Sequence, residues 1–454
     1  MAQNNTPKAP KVSKSLVSMG HERIDSYYWM NQRDSANVLK YIKEENEYCE
    51  NYFKPLNPIV DELMEEFDQR IDPNEKSARF LLNKKWYQVR SEANLEYQKI
   101  FLIEGDKESL FFDENERSKN HDYYDLADWV PSPNNKYLAV SEDFVGRRKN
   151  TISIRKNSNG KYLKDRIEDV GGDILWSNDN KAIYYIKKDE QTLRSYQVYR
   201  HHIGKKTEDD ELIYQEDDEK FSVGFSKSKT GKYIFIGSYS SLTSEVLWLN
   251  ADNNEAKAQV FIPRKLGHLY DVEHHENGFY ITSNHEAENY QILYARTFPK
   301  SIAQCDIFQA VNDEVLIEGL EVFNEFLVIV ERKNGLKKFK LYPFESREEH
   351  YIEFDEETYS LGLGLNDEYY TNTLYYSYNS MTTPSSVYQY DMMTGERVLW
   401  HQKEVLAPNF DPQNYISKRI WARANDGTMI PISLVYKKGI NVSEAPCLLY
   451  GYGS

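Results

Sequence analysis

The chain has 454 residues, enough for two or three domains, and carries 72 acidic against 56 basic residues for a net charge of −16. This charge opposes nucleic-acid binding, and no segment has the length and apolar character of a membrane span or secretion signal. The three cysteines, Cys49, Cys305 and Cys447, show neither metal-site nor disulfide spacing. We therefore expect a cytoplasmic protein without nucleic-acid or membrane partners.

Residues 1–78 are predicted to be a helical segment after a loose leader. Asp34 or Ser35 is a suitable N-cap for a first helix, and Asn57 followed by Pro58 for a second. Both helices have apolar residues at the spacing of one buried face. In the first helix this face consists of Val38, Leu39, Ile42, Cys49 and Tyr52.

From about Arg79 the hydrophobic period changes to two, and a unit of a polar turn followed by an apolar strand recurs. The clearest copies are residues 132–140 (SPNNKYLAV), 177–185 (SNDNKAIYY) and 228–236 (SKTGKYIFI). Units at intervals of about 42 to 50 residues are typical of four-stranded propeller blades. They start near Arg79, Trp129, Ile174, Phe221, Tyr270, Glu318 and Ser360.

These intervals predict a seven-bladed β-propeller over residues 79–408, and the 14% aromatic content also favours strands. An ordinary β-sandwich is the alternative. A sandwich also has regular turns, but it gives no reason for a long unit that recurs seven times.

Residues 409–454 have the pattern of the first strands of an α/β sheet. Residues 415–424 and 428–437 are predicted strands, joined across Asn425, Asp426 and Gly427, because Asp-Gly readily adopts a hairpin turn. Residues 446–450 (PCLLY) are predicted to form an apolar strand buried on both faces. An internal strand without its following helix predicts a truncated α/β domain.

No nucleophile or metal motif is convincing. An α/β serine hydrolase needs Gly-x-Ser-x-Gly, and the nearest match, residues 224–228 (GFSKS), lacks the second glycine. The pairs His201-His202 and His274-His275 are neighbours on predicted strands, so their side chains point to opposite faces. His285-Glu286 lacks a second histidine at Asn289. We expect neither a metal nor a cofactor.

The terminal residues 450–454 (YGYGS) follow the predicted third strand of the α/β sheet. In α/β-hydrolases the loop at this point contributes to the oxyanion hole, where glycines permit close approach to the developing negative charge. Tyr452 is then the candidate hydroxyl donor. The alternative is that Tyr452 only packs beside the sheet.

From His21 onward the chain resembles the prolyl oligopeptidase family of serine peptidases, and within that family the oligopeptidase B group. The most specific matches are residues 21–29 (HERIDSYYW) with Arg33-Asp34, 141–143 (SED) with Gly146, 192–194 (TLR), 197–201 (QVYRH), 243–245 (TSE), 267–268 (GH), 270–271 (YD), 331–332 (ER), 334–336 (NGL), 381–385 (MTTPS), 424–427 (ANDG) and 448–454 (LLYGYGS).

The resemblance implies that residues 1–78 and those after 408 belong to one α/β-hydrolase domain, with the propeller inserted as a gate that admits short peptides. Tyr452 aligns with the family's oxyanion-binding tyrosine. The nucleophile, aspartate and histidine would lie beyond Ser454, so this chain alone is expected to be inactive. The resemblance also implies cleavage after Arg or Lys, and hence basic peptides as substrates.

A second hypothesis is a non-catalytic propeller that binds peptides or a partner protein, which suits the acidic charge. The predicted hairpin and apolar strand at the end of the chain argue against it. A binding module has no use for an exposed apolar edge, which promotes aggregation.

Overall fold

The computed structural model describes residues 6–407 and 410–451. The chain divides into two compact units, one of residues 1–72 with 405–409 and the other of residues 73–404 with 410–454. Over the described ranges, no helix is both long enough and apolar enough to cross a bilayer.

The first unit contains a β-hairpin followed by two helices. Its elements are β1 (Lys14–Ser18), β2 (His21–Asp25), a 3-10 turn (Tyr28–Asn31), α1 (Ala36–Phe53), a second 3-10 turn (Lys54–Leu56) and α2 (Asn57–Asp68). The sequence pattern does not predict the hairpin, because β1 lies in the leader, for which no regular secondary structure is predicted. Met19 and Gly20 form its two-residue turn, both with positive φ.

The helix caps agree with the predictions in part. The Ser35 hydroxyl accepts the N–H of Val38 at the start of α1, while Asn57 is the first residue of α2 rather than its cap. The predicted buried face of α1 is wrong, since Val38 alone in this helix is buried and Leu39 is 55% exposed. No described residues cover the rest of that face.

The second unit consists of six antiparallel sheets and a C-terminal hairpin. Sheet 1 contains β3 (Phe80–Leu82), β4 (Lys85–Arg90), β5 (Lys99–Glu104) and β6 (Lys107–Asp113) and is followed by α3 (Glu114–Ser118). Sheet 2 contains β7 (Asp125–Pro131), β8 (Tyr137–Asp143), β9 (Asn150–Lys156), β10 (Tyr162–Trp176), β11 (Ala182–Lys188), β12 (Ser195–His202) and β13 (Glu211–Gln215).

Four sheets of four strands follow. Sheet 3 contains β14 (Ser222–Lys227), β15 (Tyr233–Tyr239), β16 (Ser244–Asn250) and β17 (Gln259–Ile262). Sheet 4 contains β18 (Tyr270–His275), β19 (Gly278–Ser283), β20 (Gln291–Ala295) and β21 (Asp306–Gln309). Sheet 5 contains β22 (Val315–Val322), β23 (Phe326–Lys333), β24 (Leu336–Pro343) and β25 (His350–Tyr351). Sheet 6 contains β26 (Ser360–Leu363), β27 (Thr373–Asn379), β28 (Ser386–Asp391) and β29 (Arg397–Gln402).

Successive sheets share hydrophobic cores. Clusters of buried residues join sheet 1 to 2, 2 to 3, 3 to 4, 4 to 5 and 5 to 6. Sheet 6 contacts sheet 1 in turn, with the Trp86 and Trp400 rings 5.8 Å apart and the Asn83 N–H donating to Asp367 over 2.9 Å. The sheets therefore form a closed β-propeller, which confirms the predicted mainly β fold.

The predicted number of blades is wrong. Among the described residues five sheets have four strands, whereas residues 125–215 form the seven-stranded sheet 2. The blade boundary expected near Ile174 lies inside β10, which pairs with β9 up to Val170 and with β11 from there on. The backbone stays extended because Gly172 lets it run close to Ala127, where an added Cβ would lie 3.1 Å from the alanine methyl.

The polar turns that defined the repeat share one structure. Ser132, Ser177 and Ser228 are all buried, and each accepts, through its hydroxyl, the N–H of the residue five positions later over 3.0 Å. Each serine also donates its own N–H to the carbonyl of that residue. Asn135, Asn180 and Gly231 occupy the positive-φ position in these turns.

The C-terminal hairpin consists of β30 (Tyr415–Arg423) and β31 (Met429–Lys437) after a 3-10 turn (Pro412–Asn414), and it confirms the predicted Asp-Gly turn. The predicted strand over residues 446–450 is wrong: these residues are in no strand, and Leu448 is 92% exposed. A strand needs hydrogen-bonding neighbours, and no described strand lies beside this segment. An α/β-hydrolase sheet is thus not formed by the described residues.

Candidate functional site

The two edges of the propeller are distinguished by the direction of its strands. In a four-stranded antiparallel sheet, the first strand begins and the fourth strand ends at the same edge. The chain therefore enters sheet 1 at Phe80 and leaves sheet 6 at Gln402 on one side of the ring. We call this side the junction edge and the opposite side the distal edge.

A cavity of about 470 Å³ lies at the junction edge among sheets 3, 4 and 5. It is lined by three carboxylates and no Lys or Arg, together with tyrosine and aliphatic side chains. The lining residues are Tyr239, Ser244, Leu269, Tyr270, Asp271, Val272, Glu273, Thr282, Tyr290, Leu316, Ile317, Glu318, Gly319 and Leu320. We call it the acidic cavity.

Strand alternation puts two of these carboxylates on one face of β18. Tyr270 and Val272 are buried between the sheets, whereas Asp271 and Glu273 are accessible on the opposite face. Within the part of the chain that the structure describes, neither carboxylate is in an ion pair. The third, Glu318, binds Arg332 at 2.5 Å and Lys337 at 3.3 Å, so Asp271 and Glu273 are the carboxylates available to a ligand.

The enclosure of these groups disfavours their negative charge. Burial, followed by the charges of Asp271 and Glu321, raises the pKa of Glu273 to about 8, and burial also raises the pKa of Asp271. Lys229 opposes the shift at Glu273 but forms an ion pair with Glu321. A cation that entered the acidic cavity would therefore favour the ionised forms of Asp271 and Glu273, which lack an internal counterion.

The acidic cavity has no arrangement for nucleophilic catalysis. Its one serine, Ser244, donates its hydroxyl to the Tyr270 carbonyl over 2.8 Å and accepts the Tyr270 N–H over 2.7 Å. This hydroxyl joins sheets 3 and 4, and no base activates it. The cavity is suited to binding a cationic group.

The residues singled out in the sequence lie elsewhere. Tyr452 is outside the described residues. Ser226 and Ser228 of the imperfect hydrolase motif lie on and just after β14, and Ser228 holds a blade turn. The histidine pairs are not brought together as ligands: His201 binds Asp165 and Asp210, and His274 bonds to Thr230.

Across residues 6–407 and 410–451, no group of three or more His, Cys, Asp or Glu side chains is placed to hold a metal ion. The sequence alone does not single out Asp271 and Glu273 as site residues. Their signal is two carboxylates at alternate positions of one strand, which places both on one face. That signal becomes specific only when sheet 5 is known to pack beside β18.

A closed ring of antiparallel sheets with an acidic cavity at the edge where the chain enters and leaves defines a propeller with a binding site. Residues 7–403 match the family described as prolyl oligopeptidase, N-terminal beta-propeller domain, and the chain belongs to this family.

Curated relatives and solved structures agree. The chain is 33% identical over 481 residues to dipeptidyl aminopeptidase BI from Pseudoxanthomonas mexicana, covering 100% of this chain and 66% of that protein. It is 30% identical over 460 residues to protease 2 from Moraxella lacunata, covering 99% and 66%. The chain thus spans about two thirds of these relatives.

Oligopeptidase B from Leishmania major superposes with a TM-score of 0.92 at 26% identity, covering 99% of this chain and 68% of that one. Oligopeptidase B from Trypanosoma brucei, in its closed form with covalently bound antipain, gives 0.91 at 26% identity with the same coverage. These similarities confirm the resemblance to the oligopeptidase B group.

Proposed function

We propose that this chain is the propeller-bearing part of a cytoplasmic serine-type oligopeptidase that hydrolyses short peptides after Arg or Lys. Family membership and the similarity to oligopeptidase B support this proposal. Residues 1–78 and those after 408 would belong to the hydrolase domain, with Tyr452 donating to the oxyanion. The Ser, Asp and His of the triad would be supplied by sequence beyond Ser454, so the chain by itself would be inactive.

The propeller would act as a size filter. Its sheets are joined all the way around by shared cores and by the contact between Trp86 and Trp400. A folded protein cannot pass through or around a cap of this kind, whereas a short flexible peptide enters when the domains part. Exclusion of bulk water over the reacting bond is the second consequence of such a cap.

The acidic cavity is the feature that supports the proposed preference for peptides with Arg or Lys. Asp271 and Glu273 line the acidic cavity at the junction edge, where a hydrolase domain would join the propeller. A peptide with Arg or Lys would be attracted by the net charge of −16, and its cationic group in the cavity would favour the ionised forms of Asp271 and Glu273. In this role the cavity would bind a basic side chain distant from the bond that is cleaved.

The inactivity of the chain is tested with a fluorophosphonate probe, which labels activated serines. We expect no stoichiometric labelling and no hydrolysis of a chromogenic Arg ester. A longer chain that includes the proposed downstream Gly-x-Ser-x-Gly segment is the positive control. Stoichiometric labelling of the 454-residue chain would overturn the assignment of the triad to later sequence.

The cavity is tested by calorimetric titration of the chain with an Ala-Arg-Arg-Ala peptide and with its Gln-containing counterpart. Asp271→Asn combined with Glu273→Gln should weaken binding of the basic peptide about tenfold, and added salt should weaken wild-type binding. Glu190→Gln, an exposed change elsewhere, is the matched control and should have no effect. Equal binding of the two peptides would contradict the substrate proposal.

A second candidate activity is removal of dipeptides from free N-termini, because the relative at 33% identity is named dipeptidyl aminopeptidase BI. The acidic cavity could then receive the terminal ammonium group. In the longer, active chain, N-acetylation of a peptide substrate would abolish dipeptide release, whereas an endopeptidase would cleave the acetylated and free peptides similarly.

A non-catalytic binding module is the third hypothesis. Lack of fluorophosphonate labelling in the longer chain would favour it.

A further inference from the structure

A second cavity, of about 550 Å³, lies at the distal edge between sheets 1 and 2. It is bounded by the start of β4, by β6, and by the turns before β8 and after β9. We call it the distal cavity. Its lining residues are Lys85, Tyr87, Leu102, Ser109, Leu110, Phe111, Asn134, Asn135, Arg155, Asn157 and Gly160.

The charge of the distal cavity is opposite to that of the protein. Its lining includes two cations, Lys85 and Arg155, and no Asp or Glu, although the chain has a net charge of −16. Lys85 forms an ion pair with Glu104 outside the cavity at 2.5 Å. Arg155 is therefore the uncompensated cation of the site.

Arg155 is partly buried and pairs with no carboxylate among the described residues. Its Nη2 donates to the Phe111 carbonyl over 2.6 Å, its guanidinium lies 5.3 Å from the Phe111 ring, and its buried Nε has no acceptor. Burial lowers the pKa of Arg155, and nearby Arg117 adds to this. Arg117 itself binds Glu142 through two hydrogen bonds, so the sheet does supply a carboxylate to one arginine and not to the other.

Two unused acceptors belong to the same wall. The amide groups of Asn135 and Asn157 donate to backbone carbonyls at 3.0 and 2.9 Å, which fixes their side-chain oxygens as the free atoms. Both oxygens are buried, and neither has a hydrogen-bond partner in the described chain. Because both oxygens are buried, a ligand in the cavity does not reach them, and Arg155 is the polar group that distinguishes the site.

The remaining wall is apolar. Tyr87, Leu102, Leu110 and Phe111 contribute apolar surface to the lining, and Leu110 is 54% exposed. A bare phosphate would leave most of this space and the apolar wall unused. A guanidinium without a carboxylate partner, beside an apolar wall, suits a carboxylate that is attached to an apolar body.

We propose that the distal cavity binds a small carboxylate with an apolar body, such as the C-terminal residue of a hydrophobic peptide. Arg155 binds the carboxylate, and the apolar wall contacts the side chain. This site is separate from the acidic cavity, because it lies at the opposite edge of the propeller and between other sheets. It does not depend on the peptidase proposal.

The test uses N-acetyl-L-phenylalanine as the probe and its uncharged amide as the control, titrated into the 454-residue chain by calorimetry. We expect the acid to bind at least about tenfold more tightly than the amide, because a charge-assisted hydrogen bond is lost in the latter. Arg155→Met should weaken the acid about tenfold or more. Arg147→Met, which changes an exposed arginine of the same sheet, should leave binding unchanged.

Three outcomes would overturn the proposal: equal binding of acid and amide, unchanged affinity in Arg155→Met, or no binding of the acid up to about 10 mM. The comparison of acid and amide needs no variant, so it holds even if Arg155→Met does not fold. Arg155→Lys gives a further check, because it keeps the charge but loses the planar fork and should show an intermediate affinity.

Discussion

The propeller and the helical first unit differ in how completely they bury their apolar side chains. In β23 of the propeller, Phe326 to Val330 are all buried, five residues in a row. In α2 of the first unit no residue is buried, although Leu63 and Phe67 lie on its apolar face and are 43% and 51% exposed. A sheet that lies between two other sheets buries its apolar side chains against those neighbours. An amphipathic helix buries its apolar face only where another surface packs against it. The propeller should therefore hold most of the chain's stability.

The largest effect should distinguish the two units directly. Leu327→Ala in β23 removes a side chain that is 0% exposed and should reduce the free energy of unfolding by about 3 kcal/mol. Leu63→Ala in α2 makes the same chemical change at an exposed site and should cost less than about 0.5 kcal/mol. Urea denaturation of both variants checks this. Similar losses would show that α2 is packed as tightly as the propeller.

A smaller loss is expected at the polar network between sheets 2 and 3. Glu216 is buried and accepts hydrogen bonds from Arg264 at 2.7 Å, Ser238 at 2.6 Å and Tyr214 at 2.9 Å. Because Arg264 is one-third exposed, Glu216→Ala should cost about 2–3 kcal/mol, less than a fully buried pair. Exposed Glu219→Ala is the control and should be neutral.

The same network predicts acid sensitivity. Burial alone would raise the pKa of Glu216, but hydrogen bonds led by those from Arg264 and Ser238 lower it to about 2. A depressed carboxyl pKa stabilises the fold above the ordinary value of 4.5, and this contribution is lost as pH falls toward 2. Unfolding free energies measured from pH 6 to about 3 should fall more steeply in the wild type than in Glu216→Ala.

Toward alkaline pH, the fold should lose the stabilisation that protonated His201 provides, about 3 kcal/mol. Its buried ring lies 2.6 Å from Asp210 and 3.0 Å from Asp165. Burial would lower the pKa of His201, but the two carboxylates raise it to about 9. A raised histidine pKa stabilises fully below 6.5 and is lost as pH rises through 9.

The difference in stability between wild type and His201→Gln should therefore shrink between pH 6.5 and 9. Thermal melts across this range check the prediction. His21→Gln, at an exposed position of the first unit, is the control and should follow the wild-type profile. A constant difference across the range would mean that His201 is neutral in the fold.

The smallest effect concerns the C-terminal hairpin, which resembles the helices in its exposed apolar residues but docks on the propeller. Arg419 donates to the Asn334 carbonyl over 2.7 Å and to Ser433 over 3.1 Å. Gly335 leaves room for it, since an added Cβ would lie 2.6 Å from its Nη2. Arg419→Met should cost about 1 kcal/mol locally, so amide exchange in β30 and β31 should speed up about fivefold. Arg423→Met, on the same hairpin, should not change exchange.

Local patterns predicted much of the propeller and little of its sites. Tyr270 and Ser360, expected as blade starts, are the first residues of β18 and β26, because turn chemistry and strand alternation are both local. The continuity of β10 was missed, since it depends on contact between Gly172 and Ala127 from another strand.

The two cavities depend on contacts between residues that are still further apart in the sequence. Asp271 and Glu273 could be placed on one strand face, but their lack of a counterion follows from which strands of sheet 5 lie opposite. The same holds for Arg155, whose missing partner is a property of the space between two sheets. The strand prediction for residues 446–450 is wrong for a related reason. An apolar run forms a strand only where neighbouring strands pair with its backbone N–H and C=O groups.

The long strand β10 restricts how the ring of sheets can deform. At that joint a single uninterrupted backbone belongs to both halves of sheet 2, so separating them requires breaking main-chain hydrogen bonds on two sides. At the meeting of sheets 6 and 1, the described contacts are side-chain contacts and side-chain hydrogen bonds, such as Trp400 to the Arg79 carbonyl at 2.8 Å. Any transient widening of the ring should therefore start at this latter joint, with sheet 2 moving as a rigid body.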